Sequence, residues 1–457
     1  MHRRHVIAKK TDKYGGYTKI QFEASGFFRL ERRDRWWLVS PEGNAFLSFG
    51  LNHIEPEIMM GDYNVTYWAH KFGISDKAAV DEFIPGFIEK VKHDFALLGM
   101  NTLGIHSPTK YYPESWVPYV KQMRFVDNSH YMNPDFDAFH DVFSKDFEEH
   151  CDGLAKANVV PVKDDPYLLG YSMTDCPIFT DLDAAPRINN IYGEIRPNGW
   201  TTWPCKLRNL AASAPGKKEY VASMKEIYNG KIEDFNKTYH TVFSSFDDLL
   251  KAELWRPGVD YTNSKEKEDN LQFLYKVVDK CYQIEVAAIK KYDKNHLIFG
   301  DKLNGNTDTP DEIVKLSAKH MDLILYQYYA LWDDQKELID RWSKLTDKAF
   351  LMGDSGIAVP DRHLPDPYGP HATSQEDKAE RFIEIFYNIY RYNNFVGWNW
   401  CGWMDQWQRM QPGKQHSGLL NAFGDLYEPI KKAMAEFSAK MYEVAADLPV
   451  AYEYIMI

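Results

Sequence analysis

Cysteine is scarce in this chain: five residues among 457, at positions 151, 176, 205, 281 and 401, with no CxxC pair. An odd, widely spaced set indicates neither a disulfide framework nor a zinc site, and no metal is expected. Basic residues are in deficit, since Lys+Arg 54 against Asp+Glu 66 gives a formal charge of −12. A nucleic-acid partner requires a basic footprint over phosphates, so none is expected. Long apolar runs are also lacking. The strongest, near Phe395–Met404, falls far short of the roughly 20 residues that span a bilayer, so no membrane-spanning helix and no membrane association is expected. The first residues, MHRRHVIAKKTDKYGG, are basic but precede no apolar signal segment. The resulting expectation is a soluble cytoplasmic protein, periplasmic or secreted if a leader has been trimmed.

Aromatic residues, by contrast, are abundant: 13 Trp, 29 Tyr and 26 Phe, 15% of the chain. Most aromatics fill cores, but their faces also stack on sugar rings, so the excess raises the prior for a carbohydrate protein.

Residues 26–50 alternate around the turn sequences ERRD and PEGN and read as a β-meander. Short apolar runs then alternate with helix-length amphipathic stretches. Expected strands are Ala45–Leu51, Thr102–Ile105, Val159–Val162, Leu168–Met173, Leu297–Gly300, Leu323–Tyr328, Ala349–Gly353 and Val396–Trp400; helical patterns include Ala79–Leu98, Asp137–Ala157, Asn270–Lys291 and Gln375–Tyr392. This alternation implies an α/β fold with a parallel sheet, and eight strands suit a closed (β/α)8 TIM barrel. The expected organisation is a meander over residues 1–44 packed on a barrel over 45–457, with a long helical insertion over 180–260 after strand four.

Four expected strand ends carry polar residues: Asn52 and His53 in LSFGLNHIEP, His106 in LGIHSP, Thr174, Asp175 and Cys176 in GYSMTDCP, and Asp354 in LMGDSG. In a barrel such residues share one mouth. Near the C-terminus, Trp398, Trp400, Trp403 and Trp407 crowd around Asp405 and Gln406. The density of indoles and amides reads as a sugar platform, with at least one of Trp398 and Trp400 filling the core.

The motifs RWWLVSPEGNAFLSFGLNHI, LGMNTLGIHS, DDPYLLGYSMTDCP, HLIFGDKL, DLILYQYY, AFLMGDSG and VGWNWCGWMDQ, in that order, resemble the agarase-type branch of retaining (β/α)8 glycoside hydrolases, which is related to the barrel β-galactosidases. The resemblance runs from about residue 26 to 430. It implies hydrolysis of a galactose-containing, polysaccharide-derived oligosaccharide, without a cofactor. It places the strand-seven nucleophile at Asp354. The strand-four pattern Gly-Tyr-x-x-Asp-Asn-Glu falls on residues 170–176, with Cys176 at the acid/base Glu. Asp301, Lys302, Gln327 and Tyr328 fall on the strand-five and strand-six positions, and Trp400, Asp405 and Gln406 on strand eight. Both glutamate positions therefore differ here.

Shortening Glu to Asp withdraws each carboxyl by about 1.5 Å. With Asp175 as acid and Asp354 as base, the expected separation is roughly 7–8 Å, inside the inverting window. Simple strand alternation places Asp175 on the wrong face, so a bulge or the end of the strand must turn it inward, with Asp181 and Asp183 in reserve. Cys176, a neutral thiol, is a poor acid. Asn52, His53, His106, Asp301, Lys302, Gln327, Tyr328, Asp405 and Gln406 are expected to bind sugar hydroxyls, and Trp398, Trp400 and Trp403 to stack on rings. Trp200 and Trp203 are expected to close one end of the cleft for exo action, and Lys302, Arg362 and Arg409 to meet a charged substituent. Two other readings stand beside this one: a barrel that binds carbohydrate without cleaving it, and a metal-dependent barrel using His53, His106, Asp175 and Asp354.

Overall fold

Strands β1 (Tyr17–Gln21), β2 (Arg29–Arg32), β3 (Trp36–Val39) and β4 (Asn44–Phe46) form an antiparallel sheet in the order β1-β4-β3-β2. Its β3–β4 turn depends on Gly43 at φ +84°, where a Cβ would lie 2.6 Å from the Phe22 carbonyl oxygen. The computed structural model describes residues 11–112, 115–129, 138–179, 203–256, 260, 262–307, 309–407 and 416–446.

Eight parallel strands follow: β5 (Ser48–Leu51), β6 (Thr102–Leu103), β7 (Tyr119–Gln122), β8 (Leu168–Asp175), β9 (Leu297–Asn304), β10 (Leu323–Gln327), β11 (Ala349–Ser355) and β12 (Phe395–Trp400). They close into a barrel where β12 pairs with β5, from Gly397 opposite Ser48 to Trp400 opposite Leu51. The (β/α)8 expectation is met. The third barrel strand is Tyr119–Gln122, however, and not Val159–Val162. Val159 instead ends a helix whose buried face, Phe147, Cys151, Ala155 and Val159, repeats every four residues. Two consecutive valines there imitated a strand.

The helices are α1 (Val65–Phe72), α2 (Val80–Leu98), α3 (Lys145–Val159), α4 (Trp203–Arg208), α5 (Pro215–Ile227), α6 (Ile232–Tyr239), α7 (Phe246–Lys251), α8 (Ser264–Tyr292), α9 (Asp311–His320), α10 (Trp332–Trp342), α11 (Gln375–Ile389) and α12 (Glu428–Ala445). None of the described helices is long and apolar enough to cross a membrane.

The N-terminal sheet shares the barrel's core. Phe28, Leu38 and Phe46 join Leu169, Phe299, Leu325 and Leu351 in one apolar cluster, with Tyr14 beside them. The buried Arg35 guanidinium ties the sheet to the last barrel turn by donating to the carbonyls of Tyr390 and Ala445 at 2.8 and 2.7 Å and to that of Phe395. The sheet's last strand runs to Phe46, and barrel strand β5 begins at Ser48. A boundary at 44 therefore cuts through β4.

The insertion between β8 and β9 holds α4–α7. It is pinned on α8 by Arg208, which donates to Glu266 and Asn270 at 3.3 and 3.2 Å, and by Arg256, which donates to Glu266 at 2.7 Å. Trp203 opens α4 as a buried residue whose indole N–H donates to the His140 carbonyl at 2.7 Å. It is a packing anchor and does not stand as a cleft wall. Trp200, Asp181 and Asp183 lie outside the described residues.

Candidate active site

Two bulges decide which side chains enter the mouth. In β9, Leu297 and Phe299 face the barrel interior and Ile298 the helix layer. Uninterrupted alternation would send Asp301 inward and Lys302 outward. Gly300 adopts φ +75° and adds the half-step that reverses them. In β8, Tyr171 and Met173 pack on the helix side, and the pairing with β9 shifts between Ser172 and Asp175. That shift returns Asp175 to the mouth, opposite Lys302 in the register.

Lys302 Nζ lies 2.7 Å from Asp175 Oδ1 and 3.0 Å from Asp354 Oδ2. These two oxygens are therefore separated by no more than the sum of the legs, about 5.7 Å. Both carboxylates are drawn onto one ammonium, which stands in the gap that an inverting pair leaves for a water. His106 Nε2 approaches the same pair, at 2.9 Å from Asp175 Oδ2 and 3.5 Å from Asp354 Oδ2. Asn52 donates to Asp354 Oδ1 at 2.7 Å and to the Gly353 carbonyl at 2.7 Å, fixing the carboxylate's plane. His53 Nε2 stands 3.8 Å from Asp354 and its ring stacks on His106 with centroids 4.6 Å apart.

The electrostatics follow from this packing. Burial alone would raise the Asp175 pKa; Lys302 and His106 reverse that and hold it well below the ordinary carboxylate range. Asp354 is likewise held far below it, with burial overcome by Lys302 and by His53 and His106. Lys302, which burial would depress, is raised by the two carboxylates. The centre is thus two ionised carboxylates held around one ammonium.

A third imidazole was not anticipated. His416 lies with its ring 4.4 Å from that of His53 and its Nδ1 3.1 Å from Cys401 Sγ; burial next to His53 pushes its pKa down to about 3. Tyr329 also sits close to Asp354 and Cys401, and burial raises its hydroxyl pKa. Both arise from loops whose path depends on tertiary packing, so neither had a strand-end signature. Two groups, His53/Cys401/His416 and His53/His106/Asp354, have ligating atoms within 4.8 Å of one another. In the second, the Lys302 ammonium beside Asp354 and His106 opposes a cation.

Several expected sugar contacts are placed elsewhere. Asp301 points to α8, accepting from Tyr282 at 2.9 Å and from the Thr174 amide at 2.9 Å. Burial raises its pKa to about 7, and burial together with the Asp301 charge lifts Glu285 well above the ordinary carboxylate range. Trp398 donates to the Ser355 carbonyl at 3.2 Å and packs on Phe386 of α11; Trp400 packs on Phe382 and Phe386. Trp403 packs on Phe87 and donates to Asp94 at 2.9 Å. All three indoles are core residues, because β12 turns positions 398 and 400 to the helix layer. Trp407 stacks on His363 at 4.1 Å.

Both oxygens of Asp405 are occupied, by the Gly418 amide and the Tyr427 hydroxyl, each at 2.6 Å, and burial lifts its pKa to about 6. The Gln406 backbone N–H donates to the His416 carbonyl at 3.0 Å. These two residues hold the loop that delivers His416. Gln327 is buried at the end of β10, opposite Asp354, and the Tyr328 carbonyl accepts from Ser355 at 2.6 Å while its ring packs against Gly305. Cys176 is buried beside Asp175, at φ +50°, and burial raises its thiol pKa. Arg362 donates to His363 at 2.8 Å, and Arg409 lies outside the described residues.

No protein-family model matches the chain. It is 24% identical to β-agarase B of Vibrio sp. (strain JT0107) over 94% of its own length and 50% of that protein, and 23% identical to β-agarase A of the same strain over 89% and 45%. The chain thus spans about half the length of these relatives. Among solved structures it resembles an exo-β-agarase (TM-score 0.76, 18% identity, 96% of this chain and 68% of that one). It also resembles a β-galactosidase from the psychrophilic Marinomonas ef1 (TM-score 0.52, 11% identity, 88% and 60%). Sequence similarity along almost the whole barrel makes the chain a homologue of the β-agarases, with the β-galactosidases as more distant neighbours in fold.

Proposed function

We propose that this chain is a glycoside hydrolase acting on a galactose-containing polysaccharide or the oligosaccharides derived from it. The observation that carries the reading is the pair Asp175 and Asp354, held ionised by Lys302 at the mouth of a barrel homologous to β-agarases. Glycosidic cleavage passes through an oxocarbenium-like state that an ionised carboxylate at the anomeric carbon stabilises.

Asp354 is the carboxylate that meets the anomeric carbon or activates water there, oriented by Asn52. Asp175, ionised and bonded to His106, is poorly suited to give up a proton. His106, whose Nε2 contacts both carboxylates, is the better donor: as the imidazolium it passes its proton to the leaving oxygen and is left neutral. The 3.5 Å between His106 Nε2 and Asp354 Oδ2 leaves no room for a water between acid and carboxylate, which favours retention over the inversion expected from the Glu-to-Asp shortening. The aspartates remain at the centre of the mechanism, and exo action remains part of the proposal.

One observation favours the alternative of a binding protein: Lys302 fills the space between the two carboxylates, where a reacting sugar must come. A proton NMR time course on galactan-derived oligosaccharides, read before mutarotation, separates these readings. Retained configuration at the first product supports direct attack by Asp354. Inverted configuration indicates an activated water. No cleavage across a broad panel, with binding intact, overturns the hydrolase reading.

A further inference from the structure

Beside the carboxylate centre, on the β5–β7 side of the barrel, lies a cavity of about 330 Å³ lined by His53, His106, Lys121, Gln122 and Arg124, among others. That volume is within the range of small-ligand pockets. Its polar lining is mismatched within the protein. Lys121 is half-buried, burial lowers its pKa, and no carboxylate offsets this; it has no hydrogen-bond or ion-pair partner among the described residues. The adjacent Gln122 Nε2 is buried with no hydrogen-bond acceptor. Arg124 is exposed and also lines the cavity. Glu55, the one carboxylate among the described lining residues, acts electrostatically on Lys110 and Tyr112 and not on Lys121.

Buried donors without acceptors are costly, and a half-buried ammonium without a counter-charge more so. A ligand that brings a negative charge into the cavity answers the Lys121 ammonium. The cavity adjoins the cleavage centre through His53 and His106, which line it while contacting Asp354 and Asp175. We infer that this cavity is a subsite for a sugar residue carrying an anionic substituent, a sulfate ester or a carboxylate, with Lys121 as its counter-charge. Naming the ligand a sugar rests on the hydrolase reading above; the charge preference rests on the cavity.

Calorimetric titration of the full chain with galactose, galactose 6-sulfate, galacturonic acid and inorganic sulfate tests this. At least one charged sugar is expected to bind about tenfold or more tighter than galactose, the scale of one charge-assisted hydrogen bond, and the two charged sugars distinguish sulfate from carboxylate. K121M is expected to reduce the preference to within about twofold and K121R to restore it, which separates lost charge from lost fold. Equal binding of galactose and both charged sugars overturns the proposal, as does a preference that survives in K121M. Inorganic sulfate binding as tightly as galactose 6-sulfate overturns the sugar subsite in favour of a plain anion site. A Lys121-dependent preference without cleavage of any oligosaccharide leaves the subsite standing and removes the hydrolase reading; cleavage without any charge preference does the reverse.

Discussion

Asp175 and Lys302 stand opposite each other in the β8–β9 register, and their side chains meet at 2.7 Å although simple alternation would turn both away from the mouth. Each strand carries an irregularity just before the residue concerned, and the two deviations coincide at one level of the barrel. A one-residue slip in either strand would leave a buried charge facing the helix layer without its partner.

The first expectation concerns Lys302. In K302M the two carboxylates lose their ammonium while remaining buried, and uncompensated buried charges of this kind cost about 3–5 kcal/mol. Urea unfolding should show that loss. The double variant K302M/D354N should regain part of it, because one of the two orphaned charges is removed.

Asp354 and His106 divide by leaving group. D354N should lower turnover at least about 10³-fold while oligosaccharide binding persists, as seen by calorimetry alongside initial rates. H106Q should slow cleavage of natural oligosaccharides by about 10²–10⁴-fold, the usual worth of a general acid. With an aryl glycoside whose phenolate leaves unaided, the H106Q defect should largely disappear. An equal defect on both substrates would assign His106 to binding instead.

The tryptophans divide by stability. W400F, on the helix side of β12 against Phe382 and Phe386, should destabilise the fold by about 1–3 kcal/mol through imperfect packing. Oligosaccharide affinity should not change. A raised Kd with an unchanged Tm would return the indole to the sugar platform.

Stability should depend on pH in two opposed ways. Asp175 and Asp354 have depressed folded pKa values, so their contribution is complete above the ordinary carboxylate pKa, about 3.9, and is lost as the pH falls through the folded values. Asp405 is raised to about 6; its contribution is present below the ordinary value and lost as the pH rises from about 4 to that point. Unfolding free energies measured from pH 3 to 8 should therefore show D405N losing less stability than the parent chain between pH 4 and 6.

Much of the fold could be read along the chain because barrel strands are local apolar runs and their helices local periodic ones. Seven of the eight expected strands overlap strands of the barrel, whereas Tyr119–Gln122, with Lys121 and Gln122 in a four-residue strand, carried no such run. Asn52, His53, His106, Asp175 and Asp354 are legible as strand-end polar residues and Lys302 through the family resemblance, and the fold brings them together. His416 and Tyr329 were not, since what places them is the packing of loops.

Composition and local pattern alone determined the α/β class, the alternation of strands and helices, and the polar residues at the strand ends. The tertiary structure decided which of adjacent side chains faces the mouth. Parity along a strand is a period of two, and one bulge reverses it: Gly300 sends Lys302 inward and Asp301 to Tyr282, while the shift before Asp175 brings that carboxylate onto Lys302. The same packing assigned Trp398, Trp400 and Trp403 to the core, because burial is set by what an indole meets across the barrel wall and not by its neighbours in sequence.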